Sequence, residues 1–180
     1  MIGERLAQLA AATASTIALL RSERGLGAVR QTVLERLAGA ARCEWGAYWT
    51  LDPSSQRLHA IARWSALGPL GQQMEQDARI RTLALHQGNA GRVWRSRKPI
   101  WSTNLALEMC LPRSLDASAA GLRGGVGFAV KTDTATYGVI ELLARVLPHQ
   151  SAEALIAVER AGFRLGYVLE ELRREGSQLH

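Results

Sequence analysis

The sequence predicts one α+β domain, two β-hairpins flanked by helices at the two ends of the chain. Three observations lead there. Apolar residues recur at helical spacing up to residue 41 and again after 151, but alternate with a period of two in four stretches between. Those stretches fall into two pairs, each joined by a turn short enough for a hairpin. The composition, 47% hydrophobic and 21% charged over 180 residues, is that of a chain with one buried core.

Residues 3–21 put Leu6, Ala10, Thr13, Ile17 and Leu20 on one side of a helix that Arg24-Gly25 can end. A second helix over 26–41 carries Val29, Val33, Leu37 and Ala40 on its apolar face. Cys43, Trp45, Ala47 and Trp49 then alternate with Glu44, Gly46, Tyr48 and Thr50, a strand signal. Asp52-Pro53-Ser54-Ser55 turns the chain, and Arg57 to Trp64 returns with Leu58, Ala60, Ala62 and Trp64 on one face.

The segment 65–121 is irregular. It suggests a short helix over 70–80, a loop at His86-Gln87-Gly88-Asn89-Ala90-Gly91, a helical turn at Val93-Trp94-Arg95 and an edge strand at Pro99-Ile100-Trp101. A short helix from Pro112 to Ala120 follows, with Gly121 as its C-cap. Strands 122–131 and 136–145, joined through Thr132-Asp133-Thr134, form the second hairpin. Val126, Phe128 and Val130 share a face of the first, and Ile140 and Leu142 oppose Val139, Glu141 and Leu143 in the second.

The final segment, 151–175, is the clearest helix. Leu155, Val158, Gly162, Leu165, Leu169 and Leu172 are spaced 3-4-3-4-3, the seam of a coiled coil, and are expected at a homodimer interface. Ile156, Phe163 and Tyr167 lie on another face, so one face can cover the sheet while another meets a partner.

Composition narrows the function classes. The charge-free stretch Leu6–Leu20 has fifteen residues and carries Gln8, Thr13, Ser15 and Thr16, short of the roughly 20 apolar residues of a membrane span. Arg5 before an apolar run and Ala12-Thr13-Ala14 mimic a signal peptide, but the Leu6–Ala12 core is short and polar at Gln8. A cytoplasmic protein is expected. The net charge is +6, yet Lys98 and Lys131 are the only lysines and the arginines are scattered. The densest group, Arg92, Arg95, Arg97 and Lys98, reads as a solvated helix end rather than an anion or nucleic-acid site, since no nucleic-acid-binding signature accompanies it. Cys43 and Cys110 form neither a disulfide framework nor a zinc motif.

The element order, with Cys43-Glu44-Trp45-Gly46-Ala47-Tyr48-Trp49-Thr50-Leu51-Asp52-Pro53, Gly91-Arg92-Val93-Trp94, Arg97-Lys98-Pro99-Ile100-Trp101, Ala120-Gly121-Leu122-Arg123, Val126-Gly127-Phe128-Ala129-Val130 and Tyr137-Gly138-Val139-Ile140-Glu141-Leu142, resembles the GAF family of sensory modules. The match runs in family order from about residue 26 to 172 and is closest in character to GAF domains of bacterial sensor histidine kinases and diguanylate cyclases. The resemblance implies a PAS-related fold whose terminal helices lie on one face of the sheet and whose insert, residues 65–121, closes a pocket over the other. It implies one domain, divided into a dimerisation helix (1–24), a core (26–148) and a C-terminal helix with signalling linker (149–176). It further implies a homodimer that passes a pocket change to a histidine-kinase or diguanylate-cyclase output, and a regulatory domain that is not itself an enzyme.

The chemistry-bearing residues are sparse. His59, His86, His149 and His180 are far apart and no HExxH exists, so no metal site is expected. Gly25-Leu26-Gly27-Ala28-Val29-Arg30 starts like a dinucleotide fingerprint but has Arg30 at the third glycine and no preceding strand. Within the GAF resemblance, a bilin is not expected because Leu111-Pro112 follows Cys110, and nothing supports a haem ligand. The cyclic-nucleotide pattern is absent, Asn104 having no lysine after it. A free-methionine-sulfoxide reductase would need several pocket cysteines; Cys110 could fill one place, but Cys43 belongs to the first strand or its entry. The alternatives that stay open are such an enzyme or a chromophore- or haem-binding sensor. The expected ligand site is Tyr48, Trp64, Trp94, Trp101 and Glu141, with Glu141 as polar anchor for a small planar or amphipathic molecule. The competing expectation is that the tryptophans fill the space and the module is a ligand-free protein switch.

Overall fold

A computed structural model describes residues 2–23, 30–105 and 114–177. In chain order the elements are α1 (Ile2–Ser22), α2 (Arg30–Ala41), β1 (Trp45–Asp52), β2 (Arg57–Ser65), α3 (Pro69–Ile80), β3 (Thr82–Leu83), α4 (Gly88–Ser96), β4 (Ile100–Ser102), α5 (Ser114–Ala119), β5 (Gly124–Lys131), β6 (Thr136–Ala144) and α6 (Ala152–Ser177). The expected start of the second helix, 26–29, lies outside the described residues.

The strands form one antiparallel sheet of order β3-β2-β1-β6-β5-β4. Its centre is the seam between the hairpins, where β1 pairs with β6 from Trp45↔Leu143 to Trp49↔Val139. Strict alternation there sends Tyr48, Phe128, Ile140 and Leu142 to one face and Trp45, Trp49, Val139 and Leu143 to the other. Two cores result. Trp45 and Trp49 are fully buried in the second, each contributing on the order of 4–6 kcal/mol of transfer free energy.

One strand breaks the alternation. Tyr48 pairs with Ala62 but Trp49 with Ala60, so Ile61 is an extra residue on β2. This β-bulge flips the strand. Leu58 and Ala60 face the insert, whereas Ala62 and Trp64 face the terminal helices, against the single face expected for all four.

On the first face α2 packs over β1 and β2, α6 over β5, and α1 lies against both helices. The helix α6 approaches the sheet through Gly162 and Gly166: a Cβ there would stand 2.0 Å from the Ala129 carbonyl oxygen and 2.1 Å from that of Lys131. Val158, Gly162, Leu165 and Leu169 are therefore buried inside the protomer, with Leu155 and Leu172 half-buried beside them. The heptad-like seam expected at a dimer interface is the face with which α6 grips its own sheet and α1. Arg21 near the end of α1 pairs with Glu171 near the end of α6 at 2.9 Å.

On the second face lie α3, α4 and α5. The stretch expected as a loop, 86–91, instead opens α4 at Gly88. Its two glycines do different work: Gly88 takes the left-handed φ of +65° where the helix opens, and Gly91 allows close contact, since a Cβ there would lie 2.3 Å from the Ala84 carbonyl oxygen. Gly121 caps α5 as expected, with φ +76° and Leu122 N–H bonded to the Ala117 carbonyl at 2.8 Å.

Candidate functional site

Glycines on β5 make room on the insert face. Gly125 and Gly127 present no side chain, and α4 settles there with Val93 and Asn89; a Cβ at Gly127 would be 3.1 Å from Val93 Cγ2 and 3.8 Å from Asn89 Cβ. Asn89 is completely buried, and neither its Oδ1 nor its Nδ2 has a hydrogen-bond partner. An unpaired buried amide costs about 1–3 kcal/mol, so its place in an otherwise apolar core calls for a ligand or an ordered water.

Glu141 stands beside it in the sheet. It pairs with Gly127 on β5 and Ala47 on β1, two small residues that leave its carboxylate room. The side chain is buried, and the Trp49 indole N–H donates to its Oε2 at 3.2 Å. Glu141 and Trp49 thus form a buried polar pair inside the insert-side core, with Asn89 packed over Gly127, the strand neighbour of Glu141, and Trp45 on the same strand face as Trp49.

The five residues expected as a ligand site do not converge. Glu141 and Trp94 are on the insert side, but Tyr48, Trp64 and Trp101 belong to the terminal-helix face. The causes are local. Tyr48 sits opposite Ile140 rather than Glu141, Trp64 follows the bulge at Ile61, and Trp101 pairs with Val126. Trp101 donates its indole N–H to the Pro148 carbonyl at 2.9 Å. Asn89 was not expected in the site; its one signal is a lone amide flanked by three small residues, Gly88, Ala90 and Gly91.

The sulfur chemistry divides similarly. Cys43 is buried on the terminal-helix side, and burial, reinforced by Glu44 and opposed by Arg5, pushes its thiol up to about 12. Cys110 and the Leu111-Pro112 step lie outside the described residues. Among the described residues no three His, Cys, Asp or Glu side chains group as metal ligands, and no helix is long and apolar enough to cross a membrane.

A polar junction ties the insert to α6. Arg97 ends α4 in the left-handed region at φ 57°, and its carbonyl accepts a bond from Lys131 Nζ at 2.5 Å. That same ammonium, nearly buried, reaches Glu159 of α6 at 2.8 Å and lies 4.5 Å from the centre of the Phe163 ring. The Arg97 guanidinium donates to the carbonyls of Thr132, Asp133 and Ala135 at the β5–β6 turn, and Tyr167 of α6 donates to Asp133. Within the cationic group expected as a solvated helix end, Arg97 is thus a structural residue. Arg92, Arg95 and Lys98 stay exposed around an open concavity with His86.

No family model matches the sequence, and no curated protein matches it. Solved structures do. A GAF domain from a phosphoenolpyruvate-protein phosphotransferase of Coxiella burnetii superposes with a TM-score of 0.73 at 14% identity, covering 96% of this chain and 98% of that one. The fold is GAF-like.

The GAF-like structures span different functions. A domain of a two-component sensor histidine kinase protein from Sinorhizobium meliloti matches with a TM-score of 0.59 at 13% identity, covering 82% of this chain and 92% of that one. A free methionine-R-sulfoxide reductase from Neisseria meningitidis, in complex with its substrate, matches with a TM-score of 0.73 at 13% identity, covering 94% of this chain and 93% of that one. The last finding corrects the expectation that a GAF domain of this extent is not an enzyme: nearly the whole chain superposes on one that is.

Proposed function

We propose that this GAF-like domain is a small-molecule sensor of a signal-transduction protein, with its ligand held at Asn89 and Glu141 under α4. The observation that carries the proposal is the Asn89 amide, fully buried with both polar atoms unpartnered, over the strand neighbour of Glu141. A ligand there displaces α4, whose C-cap Arg97 accepts a bond from Lys131 at its carbonyl, and Lys131 is paired with Glu159 of α6. The signal leaves through α1 and α6, paired with their counterparts in a second protomer, toward a histidine-kinase or diguanylate-cyclase output. With the seam turned inward, the pairing surface is the outer face of the two helices, where Ala10, Ile156, Arg160 and Arg164 border an open groove. The test is thermal denaturation against a library of small metabolites, repeated with Asn89→Leu. A compound that raises the melting temperature of the natural chain and not of the variant supports the proposal; one that raises both equally rejects it.

The solved reductases support a second function, thiol catalysis. Cys43 does not suit that role, being on the wrong face with its thiol held protonated, so the thiol would be Cys110. Reduction of free methionine-R-sulfoxide by an added dithiol, abolished in Cys110→Ser, would establish it. Equal rates with and without the protein would refute it.

A further inference from the structure

The outer face of α4 is strongly cationic. Residues 78–107 carry six arginines and lysines and no aspartate or glutamate. Arg81 is paired with Asp77, and Arg97 is bonded to the β5–β6 turn. Arg92, Arg95 and Lys98 are exposed and gather with His86 around a concavity of about 570 Å³, to which Pro99 and Ile100 add apolar surface. Among the described residues no carboxylate lines it, and Arg95 and Lys98 enter no ion pair.

The shape of this surface decides its occupant. The nine residues of α4 make roughly 13 Å of helix at 1.5 Å per residue, and the cations run from His86, ahead of its first residue, to Lys98, beyond its last. A single phosphate or carboxylate would meet one part of such a row, whereas an extended chain with several negative charges meets all of it. The concavity is wide open, so it does not enclose a small molecule as a ligand pocket does. No aromatic ring stands among its described lining residues for a nucleic-acid base to stack on. The cations are also held in place before a partner arrives. Arg97, left-handed at φ 57°, anchors the chain to the carbonyls of Thr132, Asp133 and Ala135 and turns Lys98 onto the concavity that Arg95 lines. The Lys98 N–H then donates to Ser96 Oγ at 3.2 Å. We propose that this face docks an extended acidic segment of a partner protein, its carboxylates on Arg92, Arg95 and Lys98 and its apolar side chains on Pro99 and Ile100. The inner face of α4 puts Asn89 and Val93 against β5, so the partner grips the same helix from outside. Docking requires no ligand beneath α4 and stands apart from the sensor reading.

The test uses the whole chain and a fluorescent peptide in which glutamate alternates with alanine. About eight residues at roughly 3.3 Å each outreach the row of cations. The same peptide with glutamine for every glutamate, a short oligodeoxythymidylate and inorganic tripolyphosphate are the comparisons. In fluorescence anisotropy the glutamate peptide is expected to bind saturably and to weaken as salt is added, with the glutamine peptide about fivefold weaker or more. Arg95→Glu with Lys98→Glu, at two exposed positions, should fold as the natural chain does by circular dichroism and lose about fivefold or more in affinity. Arg79→Glu with Arg145→Glu changes the net charge equally at exposed positions that do not line the concavity, and should lose less than about twofold. Failure of the glutamate peptide to saturate, equal binding of the glutamine peptide, or equal losses in the two folded double variants would each overturn the proposal. Tighter binding of the oligonucleotide or of tripolyphosphate, lost with Arg95 and Lys98, would overturn it in favour of a phosphate site.

Discussion

Trp49 donates its indole N–H to Glu141 across the seam of the two hairpins, at 3.2 Å and away from water. The pair spans β1 and β6, the strands whose union makes one sheet from two hairpins. Loss of the carboxylate strands a buried donor. Glu141→Ala is therefore expected to cost roughly 1–3 kcal/mol in urea unfolding, and Glu141→Gln, which keeps an acceptor, clearly less. Equal midpoints for the natural chain and both variants would mean that the bond contributes nothing to the fold.

Asn89 should behave oppositely. Its amide is buried without a hydrogen-bond partner, so Asn89→Leu is expected to leave stability unchanged or raise it by about 1 kcal/mol. The same change should remove ligand binding, the exchange of stability for function common at binding sites. A melting temperature well below that of the natural chain would show that the amide has a structural partner.

Gly162 and Gly166 set the distance between α6 and the sheet, with the Ala129 and Lys131 carbonyl oxygens where a Cβ would stand. Neither backbone oxygen can yield as a flexible side chain would. Gly162→Ala should cost about 1–3 kcal/mol by overpacking, even though alanine is the better helix former. Likewise Leu165→Glu should unfold the protomer, since Leu165 is buried inside it. Ile156→Glu, on the exposed face, should divide a dimer and leave the protomer folded, as light scattering and circular dichroism would show. A folded dimer in Ile156→Glu would place the partner surface elsewhere.

Two groups give the fold an alkaline limit. Burial raises the Cys43 thiol to about 12 from an ordinary 9.0, and burial likewise raises the Tyr48 hydroxyl, which Arg30 and Arg173 oppose. A raised group contributes stability that is whole below its unfolded value and is lost as pH climbs through the folded one. Unfolding free energy should thus decline from pH 9 toward 12, and Cys43→Ala should make that decline shallower. An identical alkaline profile in the variant would contradict it. At the other end Asp52 is held near 2, chiefly by the Ser55 and Ser54 hydroxyls, so the β1–β2 turn loses this support only as pH falls below 3.8 toward 2.

Lys131 links the C-cap of α4 to α6 through Arg97 O and Glu159. In Lys131→Met an apolar stem replaces a nearly buried ammonium, and Glu159, partly in solvent, can be rehydrated; the stability change should stay within about 1 kcal/mol. Ligand binding should survive while ligand-induced change in amide exchange along α6 disappears. Undiminished exchange changes in α6 would mean that the signal takes another route.

Much of this architecture is legible in residue spacing because the strands of each hairpin alternate their residues between the two faces of the sheet. Alternation at Val139, Ile140, Glu141, Leu142 and Leu143 correctly divides β6 between the two cores. What is not legible depends on single-residue events. The extra residue Ile61 reverses Trp64, and nothing in the local sequence marks a bulge there. A shift of one position also separates Tyr48 from Glu141, because the β1–β6 register is a long-range match that neither strand encodes alone. The glycines of 88–91 look like a loop, since close helix packing and turning ask for the same residue. The seam of α6 has the spacing of a coiled coil, and the same spacing serves a helix that lies on a sheet.

The most direct test of the sensor is native mass spectrometry of the natural chain and Asn89→Leu, purified side by side and exposed to the same metabolite extract. A small-molecule adduct on the natural chain that is missing from the folded variant is the predicted result. The same adduct on both, or none on either, would contradict a ligand site built around the buried amide of Asn89.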